Sequence, residues 1–162
     1  MIHSFPLVIG KQPKVLILGS VPSVVSLKRQ EYYGFKYNRF WKIIGQYFNV
    51  ELDSYETKLQ ILKQNKIALW DVIDVCERKG SLDSNIHNEK VNPIEQVIKM
   101  YPTIRMVICN GKKSYDLFQK HFNNLEIESI YLPSTSNANQ TIKESDLFNK
   151  WFIIFNKILN IN

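Results

Sequence analysis

The sequence predicts an α/β fold: a three-layer α/β/α sandwich around a four-stranded parallel sheet. Three observations carry this. Four short aliphatic runs recur along the chain, and stretches with helical apolar spacing separate them. The runs are apolar at successive positions, as in strands covered on both faces. Each run ends at a glycine, an aspartate or a polar loop. Strands alternating with helices build a parallel sheet with helices on its faces. No repeat, low-complexity tract or linker divides the chain, so residues 1–162 read as a single domain.

The elements follow in order. Val15-Leu16-Ile17-Leu18-Gly19 is the first strand, and a loop rich in Ser, Pro, Tyr and Gly follows it. Asn38 can cap a helix that carries Phe40, Trp41, Ile43, Ile44, Tyr47 and Phe48. A helix over 55–64 turns Leu59, Ile61 and Leu62 inward, and residues 66–72 form the second strand. Residues 77–92 are polar and contain Gly80, Ser81, Asp83 and Asn85, which reads as a long loop. Pro93 suits the start of a helix running to about residue 100. The third strand spans 104–109 and ends at Asn110-Gly111; a helix from 112 to about 121 follows. The fourth strand spans 127–132 and ends at Pro133. The last helix, over 144–159, places Leu147, Trp151, Ile154, Phe155 and Ile158 at helical spacing.

Composition narrows the function classes. Hydrophobic residues make up 44% of 162, enough for a real core. Lys and Arg number 21 against 15 acids, a formal charge of +6, which favours a polyanionic partner such as nucleic acid. Cys76 and Cys109 have no metal-ligand spacing and read as buried, reduced thiols. The first ten residues lack the pattern of a signal peptide, and no apolar run is long enough to span a bilayer. The expectation is a soluble, cytoplasmic protein. His3, His87 and His121 are scattered, so no metal site is expected. No G-x-G-x-x-G or P-loop occurs, which argues against a dinucleotide or ATP enzyme, and no cofactor is expected.

In parallel sheets of this kind the site lies outside the carboxyl ends of the strands, near a switch in strand order. The distinctive loops all follow strand ends: Gly19-Ser20-Val21-Pro22-Ser23, Trp70-Asp71-Val72, Asn110-Gly111 and Leu132-Pro133-Ser134-Thr135-Ser136. They should converge on one rim. Taken singly their residues have plain readings. Asn38 is a helix cap, Tyr33 packs a loop, the Ser-Pro pairs are turns, and Asn110-Gly111 is a turn. Asp71 either orients a donor or caps the turn after its strand.

Four segments taken together resemble one family. They are the first loop; Tyr32-Tyr33-Gly34 with Asn38-Arg39-Phe40-Trp41; Ala68-Leu69-Trp70-Asp71-Val72 with Gly80-Ser81-Leu82-Asp83-Ser84-Asn85-Ile86; and the Leu132–Ser136 loop. In this order and spacing they are similar to motifs of the hypoxanthine-DNA glycosylases, or DNA-deoxyinosine glycosylases, of the uracil-DNA glycosylase superfamily. The resemblance runs from about residue 16 to 139. It implies a monofunctional repair enzyme that hydrolyses the N-glycosidic bond of a flipped deaminated base, most often hypoxanthine, and leaves an abasic site. Uracil or mismatch excision, and a silent DNA-binding member of the fold, are the alternatives.

The resemblance also implies roles. Asn38 positions the attacking water, since Val21 and Leu132 stand where better-known branches carry their catalytic groups. Tyr33 stacks on the flipped base; Gly19, Ser20, Asn110 and Asp71 line the base pocket. Ser23, Lys36, Ser134, Thr135, Ser136 and Asn137 face the DNA phosphates or groove. The partner is DNA, single- or double-stranded, and the protein is expected to act as a monomer. Phe35-Lys36-Tyr37 replaces the family's His-Pro-Arg, so a histidine that could polarise the leaving base is missing. The 136–141 stretch, expected in the minor groove, has no large apolar wedge.

Overall fold

The computed structural model describes residues 1–159. In chain order its elements are β1 (Ile2–His3), β2 (Val15–Gly19), α1 (Val24–Arg29), α2 (Phe40–Phe48), α3 (Tyr55–Gln64), β3 (Ile67–Asp71) and β4 (Ile73–Glu77). There follow a short 3₁₀ turn (Asp83–Asn85), β5 (His87–Val91), α4 (Ile94–Met100), β6 (Met106–Asn110), α5 (Lys112–Phe122), β7 (Glu128–Leu132) and α6 (Glu144–Leu159).

The central sheet has four parallel strands, as the sequence predicts, and the structure orders them β3-β2-β6-β7. β2, β3 and β6 are buried at every residue, which explains their unbroken aliphatic character. Because side chains alternate across a strand, odd positions of β2 and β3 meet one helical layer and even positions the other. Ile17, Leu69 and Ile108 pack with Phe40, Ile44, Leu62 and Trp151 from α2, α3 and α6. Leu18, Trp70 and Cys109 pack with Ile94, Val97, Leu117 and Phe118 from α4 and α5. Both cysteines are buried free thiols, and burial pushes Cys109 up to about 12.

Two parts differ from the sequence reading. Residues 77–92 are not a long loop. β4 and β5 form an antiparallel hairpin, and β1 adds to its outer edge as a second, three-stranded sheet. Only a few residues of this hairpin face the core, notably Ile73 and Cys76, and register irregularities interrupt the pairing. A one-sided, bulged strand loses the strict alternation by which strands are recognised. The loop after β2 also holds a short helix, α1, capped by Ser23, whose hydroxyl accepts from the Ser26 amide at 3.2 Å.

The chain leaves β2 toward β3 on one side and reaches β6 on the other. The strand order therefore reverses between β2 and β6, and a crevice opens beyond their carboxyl ends. No helix among the described residues is long and apolar enough to cross a membrane.

Candidate active site

That crevice is a cavity of about 590 Å³, within the range of small-molecule pockets, roughly 300–1,000 Å³. Every residue singled out from the sequence except Lys36 lines it. Register explains the convergence: Gly19 sits opposite Asp71 across the β2–β3 ladder, and Asn110 opposite Leu132 across β6–β7. Lys36 is exposed and lies 4.8 Å from the Tyr37 ring instead.

The rear wall is a hydrogen-bond chain. Asn110 donates from Nδ2 to the Tyr33 hydroxyl and to the Thr135 hydroxyl, both at 3.1 Å, and its Oδ1 accepts from the Thr135 amide at 3.0 Å. Both amide hydrogens are thereby used; only one lone pair on Oδ1 is left for a ligand. Thr135 passes the chain on, donating to Asn38 Oδ1 at 2.8 Å. Asn38 Oδ1 also accepts from the Phe40 amide at 2.9 Å, so Asn38 holds the first residue of α2, although the N-cap position itself is Arg39, one residue later. Both lone pairs of that oxygen are engaged, and Nδ2 is the part of the amide left for a ligand.

Thr135, expected toward DNA, is fully buried. Its hydroxyl, amide and carbonyl are all taken, so it braces the wall rather than meeting phosphate. Arg39 fastens the same loop. Its guanidinium donates to the carbonyls of Thr135 (3.2 Å), Ser136 (2.7 Å) and Asn139 (3.3 Å). In the sequence Arg39 stands only within a motif, and a cation between Asn38 and an aromatic run is the available signal. Arg39→Ala removes the charged donor shared by three carbonyls. The expected loss is about 2–3 kcal/mol, or a melting-temperature drop on the order of 5–10 °C by calorimetry. A drop under about 2 °C would mean that the loop holds itself.

The side walls are aromatic and apolar. Tyr33 adopts φ 53° and stacks on Phe40 with centroids 4.2 Å apart. Tyr32 anchors it from behind: it is 3% exposed and donates its hydroxyl to Pro6 O at 2.9 Å. Phe35 lines the cavity where the resemblance would place a histidine. Gly19 is required by space: a Cβ there would lie 2.5 Å from Asp71 Oδ1 and 3.0 Å from the Tyr33 hydroxyl. Asp71 is buried, and burial, then the nearby Asp83 carboxylate, lift its pKa to about 7 against a weaker opposing pull from Arg78.

The fourth side is the segment from Gly80 to Asn85. It is tied to the first loop by Ser20 Oγ donating to Asp83 Oδ1 (2.9 Å), the Val24 amide donating to Ser81 Oγ (2.9 Å) and Arg78 donating to Pro22 O (2.8 Å). Leu82 therefore stands at the mouth with 59% of its surface exposed. In the sequence this segment carries a motif match and no assigned role. On the opposite lip, Ser134 and Ser136 hydroxyls accept from the amides of Ser136 and Ala138, which keeps the loop tight.

Comparison with known proteins places this geometry. Residues 6–157 match the sequence profile of the family described as the uracil DNA glycosylase superfamily. A protein named hypoxanthine DNA glycosylase from Methanosarcina acetivorans is 37% identical over 145 residues, covering 88% of this chain and 91% of its own. A second of that name, from Methanosarcina barkeri, is 38% identical over 140 residues, covering 85% and 88%. The fold is similar to a solution NMR structure of a provisionally assigned uracil DNA glycosylase from Methanosarcina acetivorans. That match has a TM-score of 0.84, 36% identity and 96% coverage of both chains.

Proposed function

Since this chain belongs to the uracil DNA glycosylase superfamily, we propose that it is a DNA glycosylase that removes a deaminated base, hypoxanthine first, and leaves an abasic site. The carrying observation is the cavity itself. It is sized for one flipped nucleotide and walled mainly by amides, hydroxyls and aromatic rings, with Asp71 and Asp83 as its carboxyl groups and no P-loop or dinucleotide fingerprint beside it. The relatives named hypoxanthine DNA glycosylase support the choice of base.

The base leaves the duplex stack and enters against the Tyr33 face, where stacking contributes about 1–3 kcal/mol. Asn38 Nδ2 donates to the attacking water and holds it near C1′, while the Asn110–Thr135 chain keeps the amide from rotating. Ser20, Ser23, Ser134 and Ser136, with loop amides, cradle the flanking phosphates on the two lips of the mouth. Asn137 meets the groove, and Lys36 adds charge at the approach. The net charge of +6 favours the polyanion, and one lesion needs one copy of the pocket, so the working unit is a monomer on DNA in the cytoplasm, at the nucleoid of a prokaryote.

The test is single-turnover incubation with labelled strands carrying one deoxyinosine or one deoxyuridine, followed by alkali. Cutting at deoxyinosine supports the proposal. Cutting only at deoxyuridine moves the substrate within the family. Binding without any cutting makes the protein a silent binder, the reading that Phe35 in the histidine position would favour.

The apolar wedge absent from the 136–141 stretch has a substitute across the mouth: exposed Leu82 fills the gap in the stack. Leu82→Ala should slow excision from duplex by about tenfold and leave single-stranded excision within about twofold, since only a duplex needs a wedge. Equal losses on both substrates would assign Leu82 to the pocket instead.

A further inference from the structure

Asp71 is a carboxyl group with an orphan oxygen. It ends β3, is 4% exposed, and lines the cavity beside Gly19 and Tyr33. Oδ2 is buried without a hydrogen-bond partner, and no ion pair among the described residues includes this side chain. Gly19 leaves bare backbone against Oδ1, where any side chain would collide. Buried polar atoms are nearly always partnered, and an unpartnered one in a cavity wall is a place to look for a ligand.

The charged and titratable groups around it explain its protonation. Asp83, in the turn after β4, repels an ionised Asp71; Arg78 attracts it weakly, its guanidinium being committed to the carbonyls of Gly80 and Pro22. Tyr32 and Tyr33 from the loop before α2, and Tyr55 from α3, also face it. Burial raises the pKa of all three phenols, so they stay neutral. A carboxyl so placed stays in its acid form into the neutral range. Among the described residues the cavity is lined by two carboxyl groups, Asp71 and Asp83, and Asp71 is the one that burial holds in its acid form.

We propose that Asp71, as the neutral acid, gives its proton to a ring nitrogen of the purine as the C1′–N9 bond breaks. This rests on the deoxyinosine reading above. The bonding pair goes to the base, the proton follows it, and the purine leaves uncharged. The water beside Asn38 bonds to C1′ and releases its proton to solvent, from which the Asp71 carboxylate is recharged. The acid does for a purine what Phe35 cannot. N7 and N3 are the available acceptors, and analogues that replace one or the other with carbon separate them.

The experiment compares single-stranded substrates carrying deoxyinosine, 7-deaza-deoxyinosine or 3-deaza-deoxyinosine, with wild type and Asp71→Asn, from pH 5.5 to 8.5. Wild-type excision of deoxyinosine should fall about tenfold per pH unit above about 7, and excision of the analogue without the accepting nitrogen should be slow and flat with pH. Asp71→Asn should slow deoxyinosine excision by about 10²–10⁴-fold and cost nothing further on that analogue. The wild-type profiles test the idea even where the variant folds poorly. A flat wild-type profile on deoxyinosine, or the same loss in the variant on all three substrates, overturns it and leaves Asp71 structural. Wild-type protein that never cuts deoxyinosine defeats the parent reading, and this one with it.

Discussion

Asn38→Ala is expected to lower the single-turnover rate on deoxyinosine by about 10²–10³-fold, the scale of losing one positioned group at a reacting centre. The same change removes the acceptor of the Phe40 amide and of the Thr135 hydroxyl. A side-chain hydrogen bond at a helix start contributes about 1 kcal/mol, so the melting temperature should fall by only about 2–4 °C. The two readouts separate the two roles. Asn38→Asp keeps an oxygen for the Phe40 and Thr135 donors but has no amide hydrogens, so it should restore the melting temperature and not the rate. If the alanine variant melts early and yet cuts within about tenfold of wild type, Asn38 secures the start of α2 and nothing more.

The second large effect concerns stability and pH. Asp71 has a pKa of 3.8 when unfolded and about 7 when folded, so the folded state holds this proton more tightly. The contribution of Asp71 is most favourable below about pH 4, declines as pH rises through the interval between the two values, and levels off above about 7. A shift of about 3 units corresponds to about 4 kcal/mol. Asp71→Asn removes the titration. Its stability relative to wild type should therefore rise by about 4 kcal/mol between pH 4 and pH 8, a change on the order of 10 °C in the melting-temperature difference. A difference that stays constant over that range would mean that Asp71 titrates normally and that water reaches it.

Much of this was legible in the sequence because each signal was local. Helices α3 and α6 begin and end where their apolar spacing and flanking residues place them. The central strands were legible because residues such as Leu16, Ile17 and Val107 are buried on both faces and so are apolar without interruption. The hairpin of β4 and β5 was not. Its strands pack on one side only, and their polar outer residues resemble a loop until a partner strand is known. The same holds for α1, a helix of 6 residues too short to show a period.

The site divides along the same line. Chain chemistry determined which residues would gather: motifs that follow strand ends must meet at the carboxyl edge of a parallel sheet, and all but Lys36 do. What each of them can do was decided by contacts across 25 to 100 positions of sequence. Thr135 became a buried brace, and Asn110 spent its amide hydrogens on Tyr33 and Thr135. Arg39 became a clamp, and Asp71 was buried with Oδ2 unpartnered and only a weak pull from Arg78 to favour its charged form. Residue type sets which hydrogen bonds a group can form. Only tertiary packing, by burying the group and choosing its neighbours, settles which of them remain open for a substrate.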